Sequence, residues 1–415
     1  MNDQTLNGPD APRGCPVAHG GAEVTRLYGP DAATDPQAIY ERLRKEHGSV
    51  APVLLEGDVP AWLVLGYRDN RRVLDSPRQF SRDARIWRDW REGRIAETSP
   101  LVPMLGWRPD CVSQDGEPHR RLRGAVTDGL LAASSRGIRR HATYFANQQI
   151  DEFADAGHAD LVADYAEHLP MLVLTRILGL PKADGLRLVE SCAQVFKGGA
   201  DALVHNDRIM QILGELAQRK RSEPGSDFTT ALLEHPAALD EDEVVSHLRL
   251  VLIAAHTTTS NLLARVLQLL LTDTARLSGL ISGQLNVSAV VEEVMWNTPP
   301  LAVLPGRFAA SELELGGHDI EEGDLLLLGL AAGNVDPEIR DEGVAVQGNQ
   351  SHLAFSSGPH ECPGQSIGQS IIEVGVDVLL HRLTGLRLAV PPEELGSTAS
   401  TWEFRLDSLP VEFTV

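Results

Sequence analysis

A mainly α-helical chain with small β-sheets is what these 415 residues predict, and three observations carry that reading. From about Pro118 to Leu269, apolar residues recur at helical spacing, interrupted only near Ala133-Ser134, Gly157, Pro181 and Pro224-Gly225. Residues 301–360 are instead rich in Gly and Pro, with short apolar runs of β type. A final helical pattern then spans about Pro363 to Leu383. No repeat, low-complexity tract or linker marks a boundary. Residues 1–30 read as a flexible leader and 31–415 as one domain.

Taken in order, Asp35-Pro36 opens a helix that runs to about Glu46. Val50–Leu55 and Ala61–Leu65 read as strands, and about Arg68 to Leu74 as a helix. Residues 80–114 lack periodicity and carry Trp87, Trp90 and Trp107. The helical middle includes an apolar helix over Val244–Leu269. Glu312–Leu315 and Leu325–Leu328 are the strands expected in the Gly/Pro-rich segment, and the tail after the last helix is β-rich.

Composition excludes several function classes. The net charge of −21 lacks the basic footprint of general nucleic-acid binding. Four cysteines in a chain this long make no disulfide framework, and no two have metal-clip spacing. Residues 1–22 lack the apolar core of a signal peptide, and no run of about 18 apolar residues indicates a membrane span. A monomeric cytoplasmic enzyme acting on a neutral or apolar small molecule fits this balance.

The most informative segment is His352-Leu-Ala-Phe355-Ser-Ser-Gly358-Pro-His360-Glu-Cys362-Pro-Gly364. It places one cysteine in a Gly-rich loop ahead of a helix, where backbone N–H groups and the helix N-terminus can stabilise a thiolate. The bland alternative is a buried structural thiol. From the residue frequencies, the pattern Phe-x-x-Gly-x-His-x-Cys-x-Gly arises by chance on the order of 10⁻⁵ times per chain. A second cluster is His119-Arg120-Arg121-Leu122-Arg123, whose His119 and Arg123 share one helix face. A third is Ala254-Ala255-His256-Thr257-Thr258-Thr259-Ser260. Three successive threonines suit a helix interior poorly, which predicts a local widening with hydroxyls facing a cavity.

The cysteine segment resembles the haem-ligand signature of the cytochrome P-450 family of haem-thiolate monooxygenases, and the resemblance covers essentially residues 30–415. It implies the P-450 fold, a helical bundle around haem b (iron protoporphyrin IX). Cys362 would be the axial ligand of the iron, Phe355 would shield its sulfur, and Gly358 and Gly364 would allow close backbone approach. His119, Arg123, Arg307 and His360 would contact the haem propionates. In the threonine segment, Ala255 takes the family's glycine position, Thr257 the acid position and Thr258 the position of the catalytic threonine. Glu293 matches the acid of Glu-x-x-Arg, but Trp296 stands where the arginine belongs and Gln347 where the meander arginine belongs. Both cations of that buried network are thus replaced, which implies a neutral, hydrogen-bonded arrangement around Glu293. By the same resemblance Leu301, Ala302, Val303 and Ala254 would line the substrate pocket. Trp87 and Trp402 would also line it, with core packing as the alternative for the tryptophans.

The implied activity uses O₂ as co-substrate and NAD(P)H electrons delivered by ferredoxin reductase and ferredoxin. It would hydroxylate or oxidatively couple an aromatic or cyclic secondary metabolite; without an acid at position 257, the coupling branch gains weight because substrate groups could handle protons. Arg120 and Arg121 would either dock an acidic ferredoxin or form a solvated face. The competing reading is a haem-binding protein without oxygenase turnover.

Overall fold

The computed structural model describes residues 24–29, 32, 35–132, 135–197, 201–340 and 348–415. The long apolar pattern becomes one helix, Glu241–Thr272, of 32 residues. Asp240 and Glu243 close a capping box at its start, and Glu241, Asp242 and Glu243 sit favourably at the positive end of the helix dipole. It is the one helix among the described residues long and apolar enough to cross a membrane. However, 67% of that stretch is buried inside the protein, as befits a core helix.

Helices His168–Leu178, Lys182–Lys197, Ala202–Ser222, Val287–Asn297 and Gln365–Arg382 surround it. Gln365–Arg382, which follows the cysteine loop, lies against Ser135–Phe153. Its Gly375 permits a close approach, because a Cβ there would meet Leu169 Cδ2 at 2.9 Å. Tyr165 Oη donates to the Gly375 carbonyl at 2.7 Å and ties this helix to the chain ahead of His168.

A six-stranded sheet flanks the helices in the order Thr25–Arg26, Val50–Leu55, Val59–Val64, Leu325–Gly329, Val303–Ala309, Phe80–Ser81. Val59–Val64 pairs parallel to Leu325–Gly329, and Val303–Ala309 pairs antiparallel to it. The register slips between Leu304 and Arg307, where Gly306 adopts φ +73°. An irregularity at that point re-aims side chains, and it delivers Arg307 to the interior.

The expected helices and most strands are present, with boundaries moved by one to three residues. Residues 80–114 hold more order than their pattern shows: Phe80–Ser81 is a strand, and Arg88–Arg91 and Val102–Leu105 are short helices. Val303–Ala309, His318–Ile320 and His158–Asp160 form strands that local patterning misses. His158–Asp160 exists because Pro410–Thr414, some 250 residues later, pairs with it. Most of the leader at 1–30 lies outside the described residues.

Candidate active site

Between the long helix and the cysteine loop lies a cavity of about 270 Å³. Cys362 opens into it, and the Cys362 N–H donates to the Phe355 carbonyl at 2.9 Å, which closes the loop. Burial pushes the Cys362 thiol up, while the N–H groups of Gly364 and Gln365 and the charge of Arg123 pull it down. Those donors are the groups a thiolate needs. Gly364 sits against the sulfur, since a Cβ there would lie 3.9 Å from Sγ.

The cysteine side is dense in cations. Arg82, Arg123 and Arg307 line it together with His360. Arg307 is 1% exposed, yet its Nε and Nη1 have no partner. Burial and the neighbouring Arg82 push its ionisation well down, opposed only by Asp115. Arg82 donates Nη1 to the Gly306 carbonyl at 2.7 Å and Nε to the Val112 carbonyl at 3.1 Å. Arg123 donates to the Glu361 carbonyl. His360 Nε2 lies 3.1 Å from Asp115 Oδ1, and its Nδ1 is buried without a partner. Burial lowers His360 to about 3, so a neutral ring faces an Asp115 carboxylate held at about 2 chiefly by His360, Ser81 and the Arg82 N–H against the cost of burial.

A buried guanidinium without a counter-charge is strongly unfavourable. Orphaned donors beside a cavity therefore call for an anion. A thiol and cationic donors lining one cavity fit an iron porphyrin bearing two carboxylates. The helix side is apolar: Leu250, Val251, Ala254, Ala255, Leu262, Leu301 and Leu304 face the space, with the Thr258 hydroxyl among them.

No family model matches the chain. Curated relatives do. Nocardicin C N-oxygenase of Nocardia uniformis is 30% identical over 89% of this chain and 94% of its own length. Cytochrome P450 107B1 of Saccharopolyspora erythraea is 28% identical over 91% and 95%. The chain belongs to the cytochrome P450 family. Among solved structures, testosterone-bound CYP154C4 from a Streptomyces species superimposes on this P450 with TM-score 0.88 and 26% identity, covering 95% of this chain and 99% of that one. The P450 is a haem monooxygenase that uses O₂.

Several expected positions move. His119 does not line the cavity: its Nδ1 lies 2.7 Å from the Cys111 carbonyl and its Nε2 3.0 Å from the Pro359 carbonyl, so it clamps the cysteine loop. Its ring also stacks on His360 at 4.1 Å. Gly358 is required away from the sulfur. With φ +69°, it packs where a Cβ would meet the Leu74 carbonyl at 2.8 Å. The long helix runs unbroken through the threonines, without the expected widening, and Thr258 Oγ1 donates back to the Ala254 carbonyl at 2.5 Å within it. Thr257 turns to the opposite side of the helix from the cavity.

Leu301 and Ala254 line the cavity, whereas Ala302 and Val303 are fully buried in the core and Leu304 lines it instead. Trp87 is 2% exposed and packs at 5.8 Å from Phe308, and Trp402 is 4% exposed in the same core, so neither stacks on a ligand. Arg121 is engaged by Glu243, and the exposed Arg120 pairs with Glu117 at 2.5 Å.

The Glu293 region differs most. Glu293 pairs with Arg276, Nη2 to Oε1 at 2.6 Å and Nε to Oε2 at 3.1 Å, so it is not held in a neutral network. Trp296 donates its indole N–H to the Asn349 carbonyl at 2.6 Å and packs edge-on against His352. The deeply buried acid is the preceding Glu292, whose Oε2 lies 3.0 Å from His352 Nε2 and whose Oε1 accepts from Gln369 at 3.2 Å. Gln347 lies outside the described residues. Sequence reasoning also missed Arg82 at the cavity and Asp115, which meets His360 and the Arg82 N–H; no local spacing marks them.

Proposed function

We propose that this P450 hydroxylates a largely apolar small molecule of secondary metabolism, with electrons from NAD(P)H passing through a ferredoxin reductase and a ferredoxin. The observation that carries this is the contrast inside one cavity, cations on the cysteine side and hydrocarbon on the helix side. Arg307, Arg123 and His360 would hold the carboxylates of haem b, and Cys362 would ligate its iron. The bound haem supplies the redox chemistry of O₂ activation. Leu250, Val251, Ala254, Leu301 and Leu304 exclude bulk water and orient the substrate by shape. Thr258 Oγ1 holds a hydroxyl proton at the boundary between the two sides.

The relatives' names support the substrate class: one takes nocardicin C, and one solved neighbour holds testosterone. Aromatic stacking by Trp87 is no part of this reading. Arg72 and Arg78 are exposed around the helix Tyr67–Asp75 on which the cysteine loop rests, a suitable place for an acidic ferredoxin on a monomer working in the cytoplasm.

The test is a reduced, CO-bound spectrum of purified holoenzyme, followed by reconstitution with ferredoxin and reductase on a panel of apolar and charged ring compounds. The expected result is a red-shifted thiolate band, spin-state shifts with apolar members and a product carrying one added oxygen. Absence of the thiolate band, or shifts only with charged compounds, would overturn the proposal.

A further inference from the structure

The long helix also walls a second cavity, of about 20 Å³. His256, Thr257, Ser260, Asn261 and Ala264 face it, whereas Ala254, Ala255, Thr258, Thr259 and Leu262 face the larger one. These are two faces of one helix. Around the small cavity, His256 Nδ1, Thr257 Oγ1 and Ser260 Oγ are buried without hydrogen-bond partners, in residues 3%, 4% and 6% exposed. Each such orphan is costly to bury unless it is satisfied. A water needs about 10–15 Å³ and two to four polar partners. The small cavity meets both conditions.

His256 is set up to accept. Its Nε2–H donates to the Glu167 carbonyl at 2.9 Å, which leaves Nδ1 as the lone-pair nitrogen. Burial lowers the ring to about 4, so it stays neutral near pH 7. Glu167 lines the same cavity, and its carboxylate, held by Arg405, belongs to a side chain 23% exposed to solvent. Asn261 completes the wall and donates Nδ2 to the buried Glu403 at 2.7 Å.

We propose that this chamber binds one or two ordered waters and, with Glu167 as the acid at its rim, forms the proton-entry route to the oxygen side of the active site. The proposal rests on the haem-monooxygenase reading above. The Glu167 carboxylate takes one proton from solvent and passes it to a chamber water. That water passes a proton to the Thr257 hydroxyl, which releases its own to a water on the Thr258 side of the helix. Each relay group ends with the proton count it began with, and Glu167 returns to carboxylate. Thr257 and Thr258 are adjacent and present their hydroxyls to the two cavities, so the helix is crossed in a single residue step.

Two measurements test this. A high-resolution structure of the holoenzyme is expected to show water hydrogen-bonded to His256 Nδ1, Thr257 Oγ1 and Ser260 Oγ; a dry chamber would overturn the proposal. In reconstituted enzyme, Glu167→Gln and Thr257→Val are expected to lower the share of electrons recovered in product several-fold and to change the solvent isotope effect, while substrate spin-state shifts persist. Glu167→Asp is expected to restore part of the loss. Unchanged coupling and isotope effect in both variants would overturn the proposal while leaving the haem reading intact. A wild-type protein lacking the thiolate band would overturn the haem reading instead.

Discussion

The two sides of the main cavity are built from opposite chemistry. The cysteine side gathers Arg82, Arg123, Arg307 and His360 around one thiol, with buried donors left unpaired. The helix side offers hydrocarbon with the hydroxyl residues Thr258 and Thr259 among it. Charge is tolerated in an interior only where something of opposite sign completes it, so the first side is built for one anionic group. Apolar contact is non-directional, so the second side discriminates by volume and tolerates exchange. Substitutions should therefore act in an all-or-none way on the first side and in graded fashion on the second.

The largest effect is expected at Cys362. Cys362→Ser replaces the thiolate with a hydroxyl that cannot ionise near neutral pH. The red-shifted CO band should vanish and product formation should fall below detection. A retained band would break the comparison at its root.

Arg307→Leu comes next and should act in opposite directions on two states. Haem affinity should fall roughly 100-fold, the scale for losing a supporting contact at a cofactor. The haem-free chain should gain about 2 kcal/mol, because an unpaired buried guanidinium disappears. Haem transfer to an apo-globin acceptor and chemical denaturation of the apo-protein would measure the two. If haem-free stability falls, Arg307 has a protein partner and does not await an anion.

Behind the helix side, Glu403 sharpens the contrast between apolar and polar faces. It is 4% exposed, and burial pushes its carboxyl from 4.5 up to about 7 against Arg405 and Asn261. A raised folded-state value means the carboxyl favours the folded state while protonated, and this support is lost as pH rises through about 7. Glu403→Gln removes that dependence. Its stability relative to the parent should improve by about 2 kcal/mol between pH 5 and pH 7.5, read from denaturation midpoints. A constant difference across that range would show that Glu403 stays ionised.

These sites were unequally legible in the sequence, for a physical reason. Cys362, Gly364 and Phe355 work through a loop closed within eight residues, so their spacing carries the information. The long helix shows its threonines equally well, but helical spacing alone does not say which of Thr257 and Thr258 faces the cavity. That depends on what packs against each face. Ala302 and Val303 were misplaced for a related reason: next to a register slip, the alternation of a strand no longer tells inside from outside. Arg82 reaches carbonyls at 305 and 306, and Asn261 meets Glu403, across more than 140 residues of chain. No window of sequence contains such pairs. The apparent loss of cations near Glu293 has the same origin, since Arg276 arrives from the preceding helix, Thr274–Ile281.

On the helix side, Ala254→Leu should weaken apolar-ligand binding by roughly tenfold, as filling a shaped pocket with added methyl groups does, and leave haem retention unchanged. Spin-state titration gives the first quantity and the haem-to-protein ratio the second. A loss of haem would mean that the two sides are not separable.

The smallest effects belong to the Glu293 cluster, which lies outside both sides of the cavity. The side chains of Arg276 and Glu293 are 33% and 29% exposed, so solvent screens their pair and Arg276→Ala should cost under about 1 kcal/mol. Trp296→Arg should not stabilise the protein either. Glu293 already has a guanidinium partner, and the indole N–H that satisfies the Asn349 carbonyl would be removed along with the edge-on packing against His352. The expected outcome is an unchanged or lowered melting temperature for Trp296→Arg, and haem content unaltered in Arg276→Ala. A clear rise in melting temperature for Trp296→Arg would mean that Glu293 prefers its own helix to Arg276, and that the cluster still operates as a buried ion network.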